Sequence, residues 1–80
     1  MKIQILFFGI LKDIVEENAI ELTIDNGITI ANLKESLLKK YEKLNAYSNF
    51  SIAVNEAYIE TNYILRVNDI VALIPPVSGG

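Results

Sequence analysis

Pro75-Pro76 stands directly behind the apolar run Ile70-Val71-Ala72-Leu73-Ile74, and this junction constrains the chain more than any other stretch of it. Five consecutive apolar residues, launched from the turn pair Asn68-Asp69, read as a buried strand. Proline has no N–H for a sheet ladder and fixes φ at about −65°, so the strand must stop and the chain must leave the sheet at Pro75. The expected organisation is therefore one domain over residues 1–74 and an extended tail over residues 75–80. A Pro-Pro pair favours polyproline II at ~3.1 Å per residue, which lets the tail hold its end roughly 15–20 Å from the domain. Gly79 and Gly80 have no Cβ and can pass through a channel too narrow for other residues. The functional group expected at the tip is the Gly80 α-carboxylate.

Upstream, Ile3, Ile5 and Phe7 alternate with Lys2 and Gln4, a first strand with one apolar face. Leu6 and Phe8 place apolar groups on the opposite face, where either a loop covers them or they form an exposed patch for a partner. Residues 10–17 can form a short helical turn after Gly9. Ile20, Leu22 and Ile24 alternate with Glu21 and Thr23 in a second, half-exposed strand, and Asp25-Asn26-Gly27 is a turn cluster. Thr29 suits the N-cap of a helix running to about Lys43, with Ile30, Leu33, Leu37, Tyr41 and Leu44 on one stripe. Lys39, Lys40 and Lys43 gather in its last turns, either as a solvated, dipole-favoured helix end or as an anionic docking site.

Residues 45–49 are polar and turn-like, and residues 50–54 suit a third strand. Asn55-Glu56 separates that strand from Ala57-Tyr58-Ile59 as a tight hairpin would, although Asn-Glu is a weaker signal than Asn-Gly. Residues 60–67 form an irregular connection anchored by Tyr63 and Leu65 before the final strand. Two strands, one helix and three short strands fit an α+β architecture: a mixed sheet of about five strands packed on one face by a helix, with β-grasp the most economical topology. If the last strand lies beside the first, Phe8, Ile74 and Tyr58 share the apolar face turned away from the helix.

Composition narrows the chemistry. Seven Lys and Arg against ten Asp and Glu leave a net charge of −3, which disfavours a nucleic-acid backbone as partner. No apolar run approaches the ~20 residues of a membrane span, so no membrane partner and a cytoplasmic location are expected. The chain has neither Cys nor His, hence no thiolate nucleophile, no thiolate metal site and no side chain that titrates naturally near pH 7. Ser36, Ser48, Ser51 and Ser78 have no histidine to activate them. Catalysis by this chain alone is not expected.

The segments Val54-Asn55-Glu56 to Ile59, Leu65 to Asn68-Asp69, and Val71 to the Pro75-Pro76-Val77-Ser78-Gly79-Gly80 end resemble the MoaD family of sulfur carriers, the small subunits of molybdopterin synthase. Ile5-Leu6-Phe7-Phe8 resembles the same family, and the likeness extends over the full length. The resemblance implies a ubiquitin-like β-grasp and a defined chemistry. An ATP-dependent activating enzyme (MoeB-like) adenylates Gly80, sulfur replaces AMP, and the thiocarboxylate delivers sulfur to a pterin precursor in the large subunit (MoaE-like), within a heterotetramer of two small and two large subunits. No cofactor is implied on this chain; ATP and Mg²⁺ belong to the activating partner.

Carried over by resemblance, Gly80 is the carrier and Gly79 lets the tail thread. Phe8, Tyr58, Ile74, Pro75, Pro76, Val77 and Ser78 are the implied partner contacts. Tyr58 and Ile74 replace other bulky apolar groups. Asn68 stands where glycine is common, and asparagine tolerates the left-handed conformation that such a turn uses. Sulfur delivery to thiamine or tRNA, attachment to proteins as a ubiquitin-like modifier, and a plain binding module remain the alternatives.

Overall fold

The computed structural model describes residues 1–76, and within them the alternation at the start of the chain becomes β1 (Lys2–Phe7) with Ile3, Ile5 and Phe7 buried. There follow α1 (Ile10–Val15), β2 (Ala19–Thr23), α2 (Ile30–Lys40), a 3₁₀ helix (Glu42–Tyr47), β3 (Ser51–Val54), β4 (Ala57–Tyr58) and β5 (Ile70–Ile74). The strands form one mixed sheet in the order β2-β1-β5-β3-β4. The expected neighbourhood of first and last strands is present: β1 and β5 run parallel, with Ile5 opposite Val71 and Phe7 opposite Leu73. The other pairings are antiparallel.

Residues of odd number in β1 and β5 point to the helical side, where Ile5, Val71 and Leu73 are fully buried. Ile30, Leu33 and Leu37 of α2 meet them as the predicted stripe, and Tyr41 packs edge-on against Phe7 with ring centroids 5.9 Å apart. The short helical turn expected after Gly9 is present as α1, which buries Leu11 and Val15. One element differs from expectation: α2 ends at Lys40 and not near Lys43, where the Asn45 side chain donates to the Leu38 carbonyl at 3.3 Å and the Glu42 carbonyl at 2.9 Å. A continued α-helix would have used the Leu38 carbonyl itself. The tighter 3₁₀ turn still buries Leu44, so the stripe survives the change of helix type.

The first four N–H groups of a helix lack intrahelical partners, and at α2 each finds one. Thr29 is the predicted N-cap: its Oγ1 accepts the Asn32 N–H, and the Asn32 side chain accepts the Thr29 N–H in return. Leu33 N–H, outside these four, makes the first regular intrahelical bond, to the Thr29 carbonyl. The other two donors are satisfied from far along the chain, since Ile30 donates to the Tyr63 carbonyl and Ala31 to the Thr61 carbonyl, both at 3.0 Å. The irregular 60–67 connection thus serves as a cap, and Leu65 is buried beneath it.

One buried carboxylate ties the hairpin to β5. Asp69 is 5% exposed and accepts from Asn55 Nδ2 at 3.0 Å, from Tyr63 OH at 3.1 Å and from the Arg66 backbone N–H at 2.9 Å. Asn55 also accepts the Ile70 N–H through its Oδ1 at 3.0 Å. Asn55 and Glu56 have φ of 50° and 70°, the double positive φ of a two-residue hairpin turn, so the weak Asn-Glu signal does mark that turn. Asn68, at φ 67°, takes the left-handed conformation expected of it. Burial, then the Asp69 hydrogen bond and charge, raise the Tyr63 pKa above its ordinary 10, with Arg66 opposing.

Two outcomes are expected from this packing. Leu37→Ala should lower stability by about 2–5 kcal/mol in urea titrations, because α2 and the sheet cannot close around the vacated side chain. Tyr63 binds its proton more tightly folded than unfolded, so its contribution is complete below the unfolded value of about 10 and is lost as pH rises through the raised folded value. Urea midpoints measured through that alkaline window should fall less steeply for Tyr63→Phe than for the unaltered chain. Part of the slope should persist, since burial and Glu17 raise Tyr41 as well.

Candidate functional site

The sheet face opposite α2 carries a groove, and strand parity explains which side chains line it. One row runs straight across four strands: Leu6 opposite Ala72, Ala72 opposite Ala53, and Ala53 opposite Tyr58. Large residues at the ends and two alanines between them make a concavity out of an otherwise flat sheet. Phe8 and Ile74 line the same groove, which encloses about 590 Å³. Asn55, Glu56 and Ile70 complete it.

Phe8 is 46% exposed and Tyr58 72% exposed, so among the described residues no loop covers these two side chains. Leu6, Ala72 and Ile74 are half-buried. The structure therefore brings Phe8, Tyr58 and Ile74 onto one surface. The contributions of Ala53, Ala72 and Ile70 were not singled out from the sequence. The available signal was parity: each occupies the outward position of a strand whose inward neighbours are buried.

Pro75, half-buried, directly follows Ile74 at the end of β5, and Pro76 is exposed. Pro75 and Pro76 thus leave the sheet beside the groove. Val77, Ser78, Gly79 and Gly80 lie outside the described residues. The lysine cluster sits elsewhere, at the far end of α2, where Lys39 is 3.5 Å from Glu35 and Lys40 lies over the Tyr41 ring at 5.9 Å. Exposed pairs of this kind contribute little, and Lys43 falls in the 3₁₀ helix beyond the end of α2. Among the described residues, no three His, Cys, Asp or Glu side chains converge as metal ligands, and no helix is long and apolar enough to cross a membrane.

The described geometry offers an exposed apolar groove next to the point where Pro75 and Pro76 leave the sheet. Comparison with known proteins adds the following. The chain is 32% identical to the molybdopterin synthase sulfur carrier subunit of Mycobacterium tuberculosis, with 100% of this chain and 99% of the other covered. It is 34% identical to the protein of the same name from Dictyostelium discoideum, over 96% of this chain and 94% of that one. Among solved structures, a chain from the complex of subunits 1 and 2 of the molybdopterin-converting factor of Helicobacter pylori superposes with a TM-score of 0.73 at 29% identity, with 100% of both chains covered. The ThiS family model matches residues 5–80, and the chain accordingly belongs to the ThiS family.

Proposed function

We propose that this chain is the sulfur carrier subunit of a molybdopterin synthase. The observation that carries this reading is the end-to-end similarity to proteins of that name, which includes the Pro-Pro-Val-Ser-Gly-Gly end within the matched residues. In the proposed sequence of steps, a Gly80 carboxylate oxygen attacks the α-phosphorus of ATP on an activating enzyme, and pyrophosphate leaves. A carboxylate is a poor electrophile, whereas the mixed anhydride has AMP as a good leaving group. Sulfide-level sulfur displaces AMP, the bond from the Gly80 carbonyl carbon to the AMP oxygen breaking as the carbon–sulfur bond forms. The thiocarboxylate then donates its sulfur to a pterin precursor held by the large subunit while water restores the Gly80 carboxylate. ATP and Mg²⁺ act on the activating partner, where the metal neutralises phosphate charge.

The roles within this chain follow from that scheme. Gly80 is the carrier, and Gly79 allows passage through a narrow channel. Pro75, Pro76, Val77 and Ser78 present the tip, while Phe8, Tyr58 and Ile74 are gripped by the activating enzyme and the large subunit in turn. Two copies of each subunit would form a heterotetramer, working in the cytoplasm. A chain with neither Cys nor His can serve here because the acid, base and thiol chemistry belongs to its partners.

Intact-mass analysis after incubation with the activating enzyme, ATP, Mg²⁺ and a sulfur donor should show a species in which one terminal oxygen has become sulfur. Free carboxylate alone would rule the carrier out, and Gly80 joined to lysine side chains would make the chain a protein modifier instead. Phe8→Asp should weaken binding to the large subunit by at least about 2 kcal/mol in calorimetry while the far-ultraviolet circular dichroism is retained. Loss of that spectrum would identify Phe8 as a residue the fold needs.

A further inference from the structure

Gly9 lies between β1 and α1, and the parallel ladder places it beside the start of the tail. Phe8 N–H donates to the Leu73 carbonyl at 3.2 Å, which carries the β1–β5 pairing one residue past the end of β1. Gly9 is then pinned from the other side, because its carbonyl accepts the Lys12 N–H and the Phe8 carbonyl accepts the Leu11 N–H, both at 3.1 Å. Its backbone has φ 55° and ψ −136°, in a region that glycine adopts far more readily than other residues. A Cβ placed on Gly9 would stand 2.8 Å from Cγ of Pro75 and 3.6 Å from its Cδ. The first of these is well inside van der Waals contact.

The proline ring therefore rests on a bare Cα. That ring is closed onto its own backbone, so it cannot swing aside as a flexible side chain would. Any group that displaces it also displaces the direction in which the chain leaves β5. We propose that Gly9 is a positioning residue for the carrier carboxylate: it seats Pro75 and thereby sets the exit direction of the tail. The proposal deepens the sulfur-carrier reading and rests on it for its effect on chemistry, whereas the seat itself rests on the Gly9–Pro75 contact alone.

The leverage comes from the place of the contact, at the residue where the chain leaves β5. A tilt of the Pro75 ring redirects the backbone into Pro76, through which the chain continues toward Gly80. A displacement of ~1 Å at a reacting group can already cost about a hundredfold in rate. The groove is left in place by such a tilt, since Tyr58 and Ile74 lie in β4 and β5 and Phe8 is held by its N–H to the Leu73 carbonyl. Gly9 should accordingly affect turnover more than affinity.

Gly9→Ala, Pro75→Ala and the double variant separate the contact from the backbone preference of glycine, because Pro75→Ala removes Cγ and Cδ while leaving position 9 untouched. Steady-state adenylation by the activating enzyme should show Gly9→Ala losing about tenfold in kcat with KM changed less than about twofold. The double variant should return to within about threefold of Pro75→Ala. In parallel, proton NMR of the unaltered chain should show a nuclear Overhauser contact between Gly9 Hα and the Pro75 ring, and Gly9→Ala should shift the Pro75 ring resonances while those of Val71 and Leu73 stay in place.

Unchanged kcat with unchanged Pro75 resonances would overturn the proposal. So would a loss in Gly9→Ala that persists fully in the double variant, since it would belong to the backbone at position 9. Should the unaltered chain never be charged, the sulfur-carrier reading falls, and the NMR comparison alone then decides whether Gly9 seats Pro75.

Discussion

The parallel pairing of β1 with β5 is the contact on which the rest of this structure depends. It joins residues nearly seventy positions apart and places Ile5, Phe7, Val71 and Leu73 on one buried face. Without it α2 has no continuous surface to cover, and β3 and β4 have no strand to extend from, because β3 reaches the sheet only through β5. The same pairing governs the other face by parity. Leu6, Phe8, Ala72 and Ile74 point outward because their neighbours point inward, so the groove is the reverse side of the core and cannot be formed independently of it.

This coupling accounts for the difference between the two faces. Side chains on the helical face are closed to water and contribute through burial, at about 1.5–3 kcal/mol for a large aliphatic group. Phe8 and Tyr58 on the groove face leave much of their apolar area in contact with solvent. Ala53 and Ala72 join the two demands: small side chains in the central strands keep the outer face concave while their backbones carry the ladder.

Much of this was legible in the residues because strand parity and helix periodicity are strictly local signals. The alternation in Lys2–Phe7, the Thr29 cap, the Ile30-Leu33-Leu37 stripe and the stop at Pro75 each follow from a few neighbouring residues. The Asn55-Glu56 turn was also visible, though Glu56 is an unusual residue to carry a φ of 70°. What escaped depended on partners outside the element itself. The end of α2 coincides with the return of Asn45 to the Leu38 carbonyl. The alanines of the groove gain meaning only when four strands are set side by side.

The capping of α2 by the 60–67 connection has a dynamic consequence. Ile30 and Ala31 keep their hydrogen bonds only while Thr61 and Tyr63 are docked, and Tyr63 in turn holds the buried Asp69 carboxylate beside the root of β5. Helix start, irregular loop and carboxylate therefore form one cooperative unit, built from segments that a contact-by-contact view would treat as separate. The connection lacks regular structure yet supplies hydrogen bonds to the elements it fastens. Irregular backbone in this molecule works as a latch, joining the helical layer to the sheet at the end of the fold from which β5 sets out toward the tail.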